Sequence, residues 1–298
     1  MRSPPQIAFL PDGRRLHLQD GPIDLVLEAF GAPSAIRQAY GRAVARFSSI
    51  LDELCSELAL LRRAIRPDTR RPHGDVAVRM RDAVEPYAPR YFITPMAAVA
   101  GAVAEEVLQA MTGAADLDRA YVNNGGDIAL HLSARAGFTV GMADDPERPG
   151  LFGDLRIDGC SDVRGIATSG WRGRSFSLGI ADAVTVLAPT AATADAAATI
   201  VANAVDLPGH PAVLRVPARS LQPDSDLGDR LVTRAVGRLA QDEIEAALDA
   251  GAACAVRLVA RGLIRTAALR IKGETRIVGL GSSIAFASAE EVREYVDA

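Results

Sequence analysis

The run Pro95 to Ala104, PMAAVAGAVA, has almost no side chain to keep a neighbour away. Read as a helix, it requires another helix, a strand or the flat ring of a ligand to come close to its backbone, because interiors are close-packed. No other stretch constrains the fold as much. Thr94-Pro95 begins this helix, and the N–H groups of its first turn suit an anion, so Thr94 and Met96 are candidate ligand contacts. A second small-residue helix follows Pro189, where Thr190 is placed to cap it. In that helix Asp195 and Thr199 are four residues apart and share one face. A carboxylate and a hydroxyl at that spacing make half of a hard-cation site, which a phosphate-bearing ligand would complete. The plainer alternative is that Asp195 complements the helix dipole and Thr199 packs as a small residue.

Hydrophobic periodicity organises the rest. Residues 1–20 read as two short strands around Pro11-Asp12-Gly13, and Ile23 to Phe30 as a third. Pro33 to Arg66 reads as a helix, with Ser34 as its cap. Val76 to Val84 suits either a strand or a helix. Ala120 to Leu132 is a strand interrupted by Gly125-Gly126, Gly137 to Met142 is a β run, and 143–150 is a loop. Ala183 to Leu187 is a strand. Leu231 to Leu248 reads as an amphipathic helix closed by Ala250-Gly251. Strands are expected near Val256–Val259, Ala267–Ile271 and Thr275–Val278, the last two joined by a turn at Lys272-Gly273-Glu274. Helices and strands mix without strict βαβ alternation, which favours an α+β fold with mixed or antiparallel sheets and packed helices. The 298 residues, 49% of them hydrophobic, are read as a single unit. A division into lobes 1–90 and 91–298 is the alternative.

Composition removes several functions. The net charge of −4 gives no general attraction to nucleic acid or to an anionic membrane. No run approaches the roughly 18 apolar residues of a membrane span, so a cytoplasmic protein is expected. Lys272 is the only lysine, which rules out a P-loop lysine elsewhere. Three cysteines without close spacing argue against a disulfide framework or a zinc site. The four histidines lack metal-ligand spacing.

Two turns carry chemistry. Asn123-Asn124-Gly125-Gly126-Asp127 lets a ligand approach the backbone and offers donors and acceptors to a planar heterocycle or a ribose; it is equally an Asn-Gly hairpin turn. Ala167-Thr168-Ser169-Gly170 offers a carbonyl to a cation and hydroxyls to phosphate oxygens, or is an ordinary turn.

In their order, the NNGGD turn, the ATSG turn and the strand plus A-D-A-A-A-T helix resemble the ApbE superfamily, over roughly residues 90–206. T-P-M-A-A-V-A-G-A at Thr94 to Ala102 and G-I-A-D-A-V-T-V at Gly179 to Val186 resemble a poorly characterised branch that lacks the lipoprotein signal. The resemblance implies an ApbE-like fold and a Mg²⁺-dependent transferase that binds FAD, moves its FMN half to a hydroxyl of an acceptor protein and releases AMP. It implies Mg²⁺ ligands at Ala167 (carbonyl), Asp195 and Thr199. Flavin-nucleotide contacts are implied at Asn123, Asn124, Gly125, Gly126 and Asp127, and phosphate contacts at Thr168, Ser169 and Gly170. Other ApbE proteins carry a histidine-bearing H-I-I-D-P segment after T-S-G. Here Phe176 to Asp182 stands in its place with no histidine, and Asp182 is the side chain left to act as a base. Two alternatives stay open: a flavin- or pterin-binding protein that transfers nothing, and a divergent enzyme of cofactor biosynthesis. The small-residue helix would also suit the seam of a homodimer.

Overall fold

The computed structural model describes residues 4–143 and 151–279, and the backbone of 284–288. Of the loop expected at 143–150, residues 144–150 lie outside the described residues. In chain order, β1 (Gln6–Phe9), β2 (Leu16–Asp20) and β3 (Ile23–Phe30) lead to helices α1 (Pro33–Leu61) and α2 (Asp75–Val84). A 3-10 turn at Pro95–Ala98 precedes α3 (Val99–Thr112). Strands β4 (Arg119–Asn124), β5 (Asp127–Leu132), β6 (Gly137–Ala143), β7 (Leu151–Asp158), β8 (Gly165–Ser169) and β9 (Ala183–Ala188) follow. The chain continues with α4 (Ala191–Ala204), β10 (Val213–Pro217), the single turn α5 (Ala218–Leu221), β11 (Leu231–Val236) and α6 (Gln241–Ala260). It closes with β12 (Thr266–Ile271), β13 (Glu274–Val278) and β14 (Ile284–Ser288). The strand pairs with a defined register are antiparallel, so the architecture is α+β, as expected.

Two compact units interleave along the sequence: residues 1–136, 162–167 and 188–196 form one, and 137–161, 168–187 and 197–298 the other. Three of the five divisions fall within β8, β9 and α4, and the other two lie before β6 and after β7.

In the first unit the strands run in the order β1-β2-β3-β4-β5-β8. Helix α1 buries Ala39, Tyr40, Ala43, Phe47, Ile50 and Leu54, the three-and-four spacing of one face. It packs on α3, β2 and β3. Its N-cap is Ala32, with Pro33 in the first turn, so Ser34 is already helical and caps nothing. The ambiguous segment before Pro86 is helix α2.

In the second unit β9, β12 and β13 are neighbours, β10 pairs with β11, and β14, β7 and β6 form a third group. Strand β9 is buried along its whole length. Three expectations fail here. Leu231 to Val236 is not the start of a helix but strand β11, paired with β10, and α6 begins only at Gln241. Gly251 does not end α6 but lies inside it, and close packing accounts for the glycine: a Cβ there would stand 2.3 Å from Val205 Cγ2 and 2.7 Å from Leu269 Cδ2. The same helix absorbs Val256–Val259, which was expected as a strand. An apolar pattern short enough to fit either period is decided by tertiary pairing.

Candidate ligand site

The first turn of α3 has no cap of its own: the residue before it is Ala98, and no side chain of the segment bonds its N–H groups. The cap comes from elsewhere. Asp195 Oδ2 accepts the Gly101 N–H at 3.0 Å. The first turn of α3 is therefore closed by one of the protein's own carboxylates. Thr94, ahead of the 3-10 turn, is buried, and its carbonyl accepts the Ala97 N–H at 3.1 Å. Met96 is half-buried.

Gly101 makes this approach possible. A Cβ there would lie 2.2 Å from the Ala191 carbonyl oxygen, so the first turns of α3 and α4 meet backbone to backbone. Both small-residue helices are thereby explained. The exchange is reciprocal: Thr190 Oγ1 accepts the Thr193 N–H at 3.2 Å, as expected of a cap, and Glu105 of α3 accepts the Ala192 N–H at 3.3 Å. Gly165 at the start of β8 belongs to the same close packing, since a Cβ there would lie 2.2 Å from Thr190.

The NNGGD segment is a two-residue hairpin turn. Asn124 faces Asp127 across the β4–β5 ladder, and Gly125 and Gly126 have φ of +66° and +113°. Asn123 Oδ1 accepts the Gly126 N–H at 2.8 Å, and Asn124 Nδ2 donates to the Ala100 carbonyl at 3.2 Å. The turn is thus tied to the start of α3. Within the first unit, three segments far apart in sequence converge: the NNGGD turn, the head of α3 and Asp195. Asp195 carries the electrostatic consequence. Desolvation first, and the neighbouring Asp127 carboxylate second, push its pKa well above the usual carboxylate range, against the pull of the Gly101 and Ala100 N–H groups.

Ala167 is fully buried in β8. Thr199 lies one turn beyond Asp195 on α4 and is half-buried. In the second unit, exposed Thr168 shares a 2.9 Å hydrogen bond with the hydroxyl of buried Thr185. Ser169 is half-buried. Gly170 packs so closely that a Cβ would lie 2.3 Å from the Asp182 carbonyl oxygen.

Asp182 is buried and fully engaged. Its Oδ1 accepts from Trp171 Nε1 at 3.0 Å and from Arg172 Nε at 2.9 Å, and its Oδ2 from the Lys272 N–H at 2.6 Å. Sequence reasoning overlooked Trp171, Arg172, Thr185 and Glu105. The W-R-G-R string after T-S-G was the available signal for the first two. Among the described residues, no group of three His, Cys, Asp or Glu side chains is placed to hold a metal. No helix among them is long and apolar enough to cross a membrane.

A family model described as "AbpE bacteria" matches residues 7–277. A UPF0280 protein of Methanopyrus kandleri is 42% identical over 132 residues, 43% of this chain and 48% of that protein. A UPF0280 protein of Methanothermobacter thermautotrophicus is 39% identical over 137 residues, 45% of this chain and 50% of that protein. The chain therefore spans about half the length of these curated relatives. The apo crystal structure of Pseudomonas stutzeri flavinyl transferase ApbE aligns over 98% of this chain and 97% of that one, with 10% identity and a TM-score of 0.43. Flavin transferase ApbE from Vibrio cholerae aligns over 94% and 98%, with 13% identity and a TM-score of 0.40. Likeness this loose transfers no residue's role.

Proposed function

We propose, from the premise that this chain belongs to the bacterial AbpE family, that it binds a flavin nucleotide together with Mg²⁺. One observation carries the reading. The Asp195 carboxylate is opposed by desolvation and by the charge of the neighbouring Asp127, and a proton or a cation relieves such repulsion. In this reading the Asp195 carboxylate, the Thr199 hydroxyl and the Ala167 carbonyl would hold Mg²⁺, since a hard cation prefers oxygen donors. Bound there, the ion would supply neutralisation of a diphosphate.

The chain's own groups have distinct tasks in this reading. Asn124, fixed by the Ala100 carbonyl, places the turn Asn123–Asp127 for the nucleotide, and its glycines keep the backbone open to a ring or ribose. Thr168 and Ser169 offer hydroxyls to phosphate oxygens beside Gly170, and Thr94 and Met96 line the head of α3. In a transfer reaction an acceptor hydroxyl oxygen attacks the FMN-side phosphorus, the bond from that phosphorus to the bridging oxygen breaks, AMP leaves with that oxygen and its electron pair, and the hydroxyl proton passes to the departing phosphate or to solvent.

A second reading, ring binding without transfer, is favoured by Asp182. Three donors, one of them a guanidinium, occupy its carboxylate, which suits a structural anion better than a general base. Incubation with FAD and Mg²⁺, with and without candidate acceptor proteins, separates the readings. AMP release that depends on Mg²⁺ and vanishes in Asp195→Asn supports the transferase. FAD binding without AMP supports the carrier. Absence of FAD binding overturns both.

A further inference from the structure

The loop that follows the ATSG strand is held at both ends and exposed in the middle. At its start, Gly170 lies against the Asp182 backbone, and the Asp182 carboxylate grips Trp171 and Arg172. At its end, Asn203 Oδ1 accepts the Leu178 N–H at 2.8 Å, and Thr233 Oγ1 donates to the Gly179 carbonyl at 2.8 Å. A Cβ on Gly179 would lie 2.1 Å from the Ala202 carbonyl oxygen. Between these anchors Arg172, Gly173, Arg174 and Ser175 are exposed. The Arg172 guanidinium lies over the Trp171 ring at 4.9 Å, while its Nε bonds Asp182. All of these residues belong to the second unit.

A buried carboxylate is costly unless paired and hydrogen-bonded. Here that carboxylate fixes two side chains of a surface loop, one of them an arginine stacked on the chain's only tryptophan. The loop carries two arginines against one aspartate, a local positive charge on a chain whose net charge is −4. A planar, pre-oriented guanidinium is the side chain suited to phosphate oxygens. The exposed Thr168 hydroxyl, oriented by Thr185, lies three residues before Trp171.

Resting on the nucleotide-binding reading above, we infer that Arg172, held over Trp171 by Asp182, receives a phosphate of the nucleotide. Asp182 is then a positioning residue for that contact. The ligand class is a phosphorylated nucleotide, not a bare ring. An acidic segment of an acceptor protein is the competing occupant.

Binding of FAD, ADP and riboflavin is measured by calorimetry on the full chain, for wild type, Arg172→Ala and Asp182→Asn. Arg172→Ala removes the charged partner of the buried Asp182 carboxylate, so unfolding midpoints are measured for each variant to establish that it is folded. Arg172→Ala weakens FAD and ADP by roughly tenfold or more, as loss of a charged hydrogen bond does, and leaves riboflavin unchanged. Asp182→Asn weakens the same two ligands and shifts the Trp171 emission, the only tryptophan signal in the protein. Failure of wild type to bind FAD or ADP overturns the nucleotide reading and this inference with it. Equal FAD and ADP binding by wild type and Arg172→Ala overturns this inference alone, and a raised KM for the acceptor protein in that variant then assigns the loop to the acidic segment instead. Asp182→Asn that lowers turnover without moving binding or emission assigns Asp182 to the chemistry instead.

Discussion

The carboxylate of Asp195 accepts the backbone N–H of Gly101 at 3.0 Å, and the bond closes a helix whose own sequence offers no cap. One side chain thus has two candidate employments, capping α3 and holding a cation. The neutral isostere separates them. Asp195→Asn keeps an acceptor for the N–H groups and removes the repulsion with Asp127, so without divalent ions it is at least as stable as wild type in urea. Asp195→Ala loses the cap, at about 1 kcal/mol. Added Mg²⁺ raises the urea midpoint of wild type and leaves that of Asp195→Asn unmoved. Equal Mg²⁺ stabilisation of the two proteins would remove Asp195 from the metal site.

Two helical glycines respond to alanine with opposite signs. Gly101→Ala drives a methyl into the Ala191 carbonyl and destabilises by about 3 kcal/mol or more, the upper range for overpacking. Gly41 in α1 is exposed, and a Cβ added there would meet nothing within 4 Å; Gly41→Ala stabilises by roughly 0.5–1 kcal/mol. Denaturant titrations of both variants check the contrast.

The turn between β4 and β5 discriminates between its own two glycines. Gly125, at φ +66°, tolerates asparagine. Gly126, at φ +113°, lies where L-residues are strained, so Gly126→Ala costs about 1–2 kcal/mol. If nucleotide binds here, Gly126→Ala also weakens FAD binding, read in the same samples.

Arg46 of α1 pairs with Glu53 of the same helix at 2.8 Å and with Glu106 of α3 at 2.7 Å. The hydrogen bond from Arg46 holds the Glu53 carboxyl below its ordinary range, with a smaller contribution from Ser49. A lowered acid stabilises the fold above the unfolded pKa of about 4.3 and loses that contribution as pH falls through the folded value. Glu53→Gln therefore flattens the acid limb of the stability curve below about pH 4.3 and leaves its shape near neutrality unchanged. Thermal melts across pH test this; the gain is small, because the pair is partly solvated.

Cys55 and Cys160 are exposed and Cys254 is buried in α6. A thiol reagent added to the native protein modifies two cysteines quickly and the third only on unfolding. Rapid modification of all three would contradict the packing of α6.

Local chemistry made much of this fold legible. The hairpin at Pro11-Asp12-Gly13, the turn at Gly125-Gly126 and the cap at Thr190 each depend on a few adjacent residues, and each stands where the sequence places it. The small-residue runs announced a close approach but not its partner, since Gly101 and Ala191 are joined only by the tertiary fold. The β11–α6 boundary was misread because Leu231 to Val236 fits a helical stripe as well as a strand, and only its pairing with β10 decides. The pinning of Arg172 and Trp171 by Asp182 was invisible for the same reason: spacing shows which residues are near in sequence, not which donors a buried carboxylate has already taken.

The mutual capping of α3 and α4 bears on how the chain matures during synthesis. A ribosome releases the α3 segment long before residue 195 exists, so its first-turn amides face water until the second helix emerges. The first unit therefore cannot reach its final form while its sequence is still being made, and acquires the candidate site only after residue 196 has left the exit tunnel.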